Sequence, residues 1–307
     1  MKTEIINSFD ETHISTRTWD NVKQKKGVVL IVHGMSEHIN RYDAFAKFLN
    51  QNGYICFGFD LRAHGQSAKS IDDLGKYQKD LFADSVSDII FFSNLLHERY
   101  KDLPLFVFGH SFGSFLTQRY IEKYDNFSGV IICGSANMKN QASVSFGKVI
   151  ANITKCFCGK NAKAKMIAKA SFGAYEKHFE DKNWLTRDTK IFKAYNDDPY
   201  CGFVCSANFY CSFFKNLKII YKSENLAQIN KDRPIFIISG KDDPVGGFEK
   251  LVIKLYDLYK KWNIKKLQIK TYEKARHELL NETNKEEVFD DILSFLNSEN
   301  AKSTKKE

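Results

Sequence analysis

The spacing of hydrophobic positions changes period several times along the chain. "TEIINS" and "THISTRTW" flank "FDE" and predict an opening β-hairpin. "GVVLIVHG" (27–34) is an unbroken apolar run ended by glycine, the pattern of a strand covered on both faces. In "RYDAFAKFLNQNG" (41–53), Tyr42, Phe45, Phe48 and Leu49 recur at helical spacing, and Gly53 supplies a stop. "YICFGFD" (54–60) reads as the next strand and runs into the polar loop "LRAHGQS". A long helix is predicted from about Leu81 to Tyr100, then a strand over "PLFVFGH" (104–110). A helix over "FGSFLTQRYIEKY" (112–124) and a strand over "GVIICGS" (129–135) follow.

From about 139 to 230 no buried-strand run occurs. The alternation resumes with "PIFIISG" (234–240), a helix from about Gly247 to Trp262, "LQIKTY" (267–272) and a last helix from about Thr283 to Leu296. Strands alternating with helices predict an α/β fold with a mostly parallel central sheet and helices on both faces. The interruption predicts a helical cap, 139–230, inserted above a core made of 1–138 and 231–300. The polar stretch 301–307, "AKSTKKE", is expected to be frayed.

Composition narrows the class. The 307 residues are 43% hydrophobic and 27% charged, as in an ordinary globular protein. No apolar run approaches the ~20 residues of a membrane span. The polar start, "MKTEIINSFDETHIS", lacks the apolar core of a signal peptide, so a cytoplasmic protein is expected. Seven cysteines, an odd number without framework spacing, suggest free thiols in a reducing compartment. Cys156 and Cys158 are too close in sequence for the usual zinc pair, and no metal is expected. Net charge is +9, and residues 139–193 hold twelve Lys and Arg against four Asp and Glu. A basic segment of that kind raises the question of an acidic membrane or a nucleic acid as partner.

The candidate chemistry starts at "FVFGHSFGSF" (106–115), where a strand turns into a helix. Ser111 stands between Gly109 and Gly113, at the carboxyl end of a strand, where open α/β sheets collect reactive groups. Gly-x-Ser-x-Gly alone is a weak signal, but in this strand–turn–helix setting it reads as a nucleophile elbow. A serine hydroxyl needs a base. Only His178 and His277 follow Ser111; His178 falls in the insertion, whereas His277 lies between a strand and a helix. An acid between serine and histidine should sit on a strand-end loop. Asp242 and Asp243 both satisfy this, and spacing does not separate them. The backbone N–H groups of Phe112 and Met35 are the candidate oxyanion donors.

These residues lie in stretches that together resemble the monoacylglycerol lipase and lysophospholipase group of α/β-hydrolases, its bacterial branch most closely. The stretches are "HGMSEHINRY" (33–42), "FDLRAHGQS" (59–67), "GHSFGS" (109–114), "SGKDDPVGG" (239–247) and "ARHELLNET" (275–283), with "DDPYCGF" (197–203). The resemblance implies a Ser111–Asp243–His277 triad with oxyanion donors at Met35 and Phe112. It also implies supporting roles for Glu37, Arg41, Asp60 and His64. Phe112 and Ser36 depart from the commonest residues of the group at those positions.

The implied activity is hydrolysis of carboxylic esters of monoacyl lipids, monoacylglycerol or lysophospholipid, through an acyl-enzyme. It needs no cofactor, and its partner is a small lipid or ester. Other readings of the same residues are a general short-chain carboxylesterase, a peptidase or a C–C hydrolase. A further one is a basic membrane- or nucleic-acid-binding protein without catalysis; the complete triad argues against it, and no nucleic-acid partner is expected.

In "FGKVIANITKCF" (146–157), Phe146, Val149, Ile150, Ile153 and Phe157 form a helical stripe flanked by lysines. The stripe is expected to line an acyl pocket or pack on the sheet, with the lysines solvated. The other reading turns it toward an anionic membrane. "FVCSANFYCSFF" (203–214) adds aromatic surface to the same pocket.

Overall fold

A computed structural model describes residues 1–303, the side chains of 301–303 excepted. The expected frayed tail therefore lies, for residues 304–307, outside the described residues. An opening hairpin, β1 (Lys2–Asn7) and β2 (His13–Trp19), precedes six further strands. These are β3 (Gly27–Val32), β4 (Tyr54–Phe59), β5 (Leu105–His110), β6 (Gly129–Cys133), β7 (Ile235–Gly240) and β8 (Leu267–Tyr272). Spatial order is β1-β2-β4-β3-β5-β6-β7-β8. β1, β2 and β4 pair antiparallel, and every later pair is parallel. The chain thus forms the mostly parallel sheet that the apolar runs predict. Strands β3 to β7 are buried along their full length, which is why they read as continuous apolar runs rather than alternating ones.

Helices cover both faces. On one, α1 (Asp43–Gln51) and α10 (Lys285–Ser303) pack Phe45, Leu49, Val288, Ile292 and Phe295 on the sheet. On the other, α2 (Leu81–Arg99), α3 (Phe112–Tyr120) and α9 (Lys250–Lys261) contribute Phe82, Ile89, Phe92, Leu116, Val252 and Leu255. Helix α3 is shorter than its hydrophobic pattern, ending at Tyr120, and α1 is led in by a 3₁₀ turn at Ile39–Tyr42.

Between β6 and β7 the chain forms α4 (Ala142–Cys158), α5 (Lys165–Glu176), α6 (Thr189–Asp197), α7 (Ala207–Ile219) and the short α8 (Ser223–Leu226). Here one expectation holds only in part. Most large residues of the α4 stripe are turned to the surface: Phe146, Val149, Ile153 and Phe157 are 66%, 55%, 53% and 84% exposed. Helix α4 packs instead through Val144, Gly147 and Ala151. A Cβ on Gly147 would stand 2.5 Å from the Phe214 ring of α7, so close approach is bought with small residues and the bulky ones are turned out. Phe146 and the half-buried Ile150 line a cavity, whereas Val149, Ile153 and Phe157 do not. Among the described residues no helix is long and apolar enough to cross a membrane.

Candidate active site

The β5–α3 junction is as tight as two glycines allow. A Cβ on Gly113 would lie 2.3 Å from the Val32 carbonyl oxygen, and one on Gly109 2.2 Å from Thr117 Oγ1. Ser111 itself has φ +52° and ψ −119°, a left-handed conformation that costs a non-glycine residue about 1–3 kcal/mol. Its N–H donates to the Cys133 carbonyl at 2.9 Å, tying the elbow to the end of β6. The side chain lines a cavity of about 580 Å³.

His277, on the loop after β8, lines the same cavity. Its Nδ1 lies 2.9 Å from Oδ2 of Asp243, on the loop after β7, and both side chains are buried. The other Asp243 oxygen accepts the Val245 N–H at 2.8 Å. Asp242 is half-buried, and its N–H donates to the Ala275 carbonyl at 3.0 Å. The structure therefore brings Asp243 and His277 together and leaves Asp242 aside. His178, two residues after α5, does not line the cavity, and its ring lies against Phe248.

Met35 and Phe112 also line the cavity. Phe112 opens α3, so its N–H lies outside the helical ladder, and the Met35 N–H meets no acceptor among the described residues. Two backbone donors thus flank the elbow.

Beneath the Met35 loop lies a buried ionic network. Glu37 Oε1 accepts from the Gly34 N–H at 2.6 Å and the Tyr42 hydroxyl at 2.9 Å, and lies 3.2 Å from His110 Nδ1. Arg41 donates to Glu37 Oε2 at 2.7 Å and to both oxygens of Glu278 at 2.7 and 2.6 Å. Burial alone would raise the Glu37 carboxyl, but His110 and Arg41 hold it well below its usual range. Burial lowers His110, yet Glu37 outweighs that and leaves the imidazole above its usual value. Glu37 and Arg41 were legible as supporting positions. His110, Glu278 and Trp184, whose ring lies 5.0 Å from that of His277, were not. The one signal for Glu278 was its place directly after His277.

Asp60 and His64 serve the loops. Asp60 accepts the N–H groups of Ile39 and Gln66, each at 2.9 Å, and His64 Nδ1 lies 2.9 Å from the Arg62 carbonyl. Ser36 is more consequential. Its carbonyl accepts the Gly202 N–H at 2.9 Å and the Tyr195 hydroxyl at 3.2 Å. Its hydroxyl donates to the Phe203 carbonyl at 2.7 Å. The residue after Met35 is thus held by α6 and the stretch that follows it.

A serine on a strained elbow, a buried Asp–His pair and two free N–H groups can carry out acyl transfer. Residues 23–284 match the family described as serine aminopeptidase, S33. The chain belongs to that family. It is 25% identical to a monoglyceride lipase homolog of Monkeypox virus, over 96% of this chain and 98% of the relative. It is likewise 25% identical to the monoacylglycerol lipase of Mycolicibacterium smegmatis, over 91% and 90%. A thermostable carboxyl esterase from Bacillus coagulans, solved with glycerol, superposes with a TM-score of 0.85 at 24% identity over 97% and 98% of the two chains. The chain is a serine hydrolase of the α/β-hydrolase fold, similar to monoacylglycerol lipases.

Proposed function

We propose that this serine ester hydrolase cleaves monoacyl lipids through an acyl-enzyme. The carrying observation is the 2.9 Å Asp243–His277 contact within the cavity that Ser111 lines. In this reading His277 takes the Ser111 hydroxyl proton as Oγ adds to the ester carbonyl. The N–H groups of Met35 and Phe112 receive the oxyanion. His277 then returns the proton to the departing alcohol, Asp243 stabilising the imidazolium. Water, deprotonated by His277, releases the fatty acid. Every group the reaction needs comes from the chain, so no cofactor is called for.

The acyl chain is assigned to the half of the cavity walled by Ile150, Phe213, Phe214 and Leu217. The polar end carries Glu37 and Glu278. Arg41, the cation between them, is already engaged by both carboxylates, which favours a neutral glycerol over a phosphate head group. Residues 139–230 act as the cap over this site, and 1–138 with 231–300 as the core. The outward apolar row of α4, beside Lys148, Lys155, Lys160 and Lys163, suits peripheral contact with an anionic membrane.

The test is a chain-length series of p-nitrophenyl esters, with monoacylglycerol and lysophosphatidylcholine alongside, on wild type and Ser111→Ala. Turnover that needs Ser111, rises with chain length and favours monoacylglycerol supports the proposal. Activity confined to short esters points to a general carboxylesterase, and no Ser111-dependent turnover overturns the reading.

A further inference from the structure

A second cluster of reactive side chains lies outside the Ser111 chemistry. His38 stands on the loop after β3, three residues beyond Met35. Asp198 and Cys201 come from the turn after α6. His38 Nε2 is 2.9 Å from Asp198 Oδ2. The imidazole nitrogen, the carboxylate oxygen and the Cys201 sulfur all lie within 4.8 Å of one another. Nitrogen, oxygen and thiolate sulfur are the donors that a zinc ion takes. Tetrahedral bonds of about 2.0–2.3 Å place such donors about 3.3–3.8 Å apart, so small side-chain rotations suffice to close the set.

The surroundings favour a cation. Asp198 and Cys201 are held at the two ends of one turn, the Cys201 N–H donating to the Asp198 carbonyl at 3.0 Å. Oδ1 of Asp198 is occupied by the Tyr200 N–H at 2.8 Å, which leaves Oδ2 aimed at His38. His38 and Cys201 are each only 9% exposed, whereas Asp198 is half-buried and gives an entry route. The nearby Arg41 is no obstacle, since Glu37 and Glu278 outnumber it.

We propose that His38, Asp198 and Cys201 form a binding site for a borderline-soft divalent cation such as Zn²⁺, water completing the tetrahedron. The Cys201 thiol gives up its proton to solvent on binding. His38 moves its proton to Nδ1 and presents Nε2. The cation then joins the loop that carries Met35 to the stretch after α6, alongside the Ser36 hydrogen bonds. None of Ser111, Asp243 and His277 is a ligand.

Cobalt(II) is the probe, because its thiolate complexes absorb in the near ultraviolet. Wild-type protein and a Cys156→Ser/Cys158→Ser variant, which lacks the exposed thiols, should each bind one Co²⁺ with a thiolate-to-cobalt band that Zn²⁺ abolishes. Cys201→Ser should lose the band. His38→Gln and Asp198→Asn, on separate segments, should each weaken binding at least about tenfold. Thermal melts show that each variant is folded; if Cys201→Ser is not, the other two decide. A protein with no band overturns the proposal. So does a band that survives Cys201→Ser, or an affinity unmoved by both His38→Gln and Asp198→Asn.

Discussion

Asp243 reaches His277 Nδ1 at 2.9 Å, while Asp242, one residue earlier, is half-buried and spends its N–H on the Ala275 carbonyl. Neighbouring carboxylates on one loop thus have different work. Asp243→Asn is expected to lower kcat about 10⁴-fold, because an amide cannot hold the required imidazole tautomer. Asp242→Asn should leave kcat near wild type. Steady-state ester hydrolysis checks both, and equal losses would contradict the assignment.

The elbow glycines predict a packing penalty. The atoms that a Cβ on Gly113 would meet, the Val32 and His33 carbonyl oxygens, belong to backbone of the central sheet and loop. Gly113→Ala should therefore cost about 1–3 kcal/mol or more. A denaturation midpoint close to that of wild type would show that the elbow can relax.

The outward face of α4 predicts a separation of two activities. Ile153→Ser with Phe157→Ser should cut binding to phosphatidylserine-containing vesicles at least about tenfold, since each side chain is worth roughly 1.5–3 kcal/mol when buried in an apolar phase. Turnover of a soluble short-chain ester should be unchanged. Vesicle flotation and ester hydrolysis on the same preparation read both, and undiminished flotation would remove the membrane assignment.

Two buried histidines predict an acid limit. Burial pulls His33 down to about 3 and His64 to about 4, and their rings lie 5.4 Å apart. The unfolded chain takes up protons at these residues near pH 6.5, and the folded chain does not until much lower pH. Stability from these groups is therefore full above about 6.5 and falls as pH drops from there, toward about 4 for His64 and about 3 for His33, by up to about 1.4 kcal/mol per pH unit for each. Urea midpoints at a series of pH values should show this slope, and His64→Gln should reduce it.

What could be read in advance follows from how far each interaction reaches along the chain. Strands β3 to β7 are covered on both faces, so their apolar runs stood out. Ser111 and its glycines are local too. The choice between Asp242 and Asp243 depends on side-chain direction, which spacing leaves open and family resemblance supplied. The α4 stripe misled for Val149, Ile153 and Phe157 because periodicity marks a face without saying what it meets. The inward row, Val144, Gly147 and Ala151, is made of smaller residues that carry less hydrophobic signal. Arg41 with Glu278, and His38 with Asp198, are joined across 237 and 160 positions, beyond any local pattern.

Ser36 is a clasp between distant parts of the chain. Tyr195 in α6 and Gly202 in the turn after it both donate to its carbonyl, and its hydroxyl donates to the Phe203 carbonyl. The residue next to Met35 is thereby anchored to a segment 159 positions further along, not to its own strand.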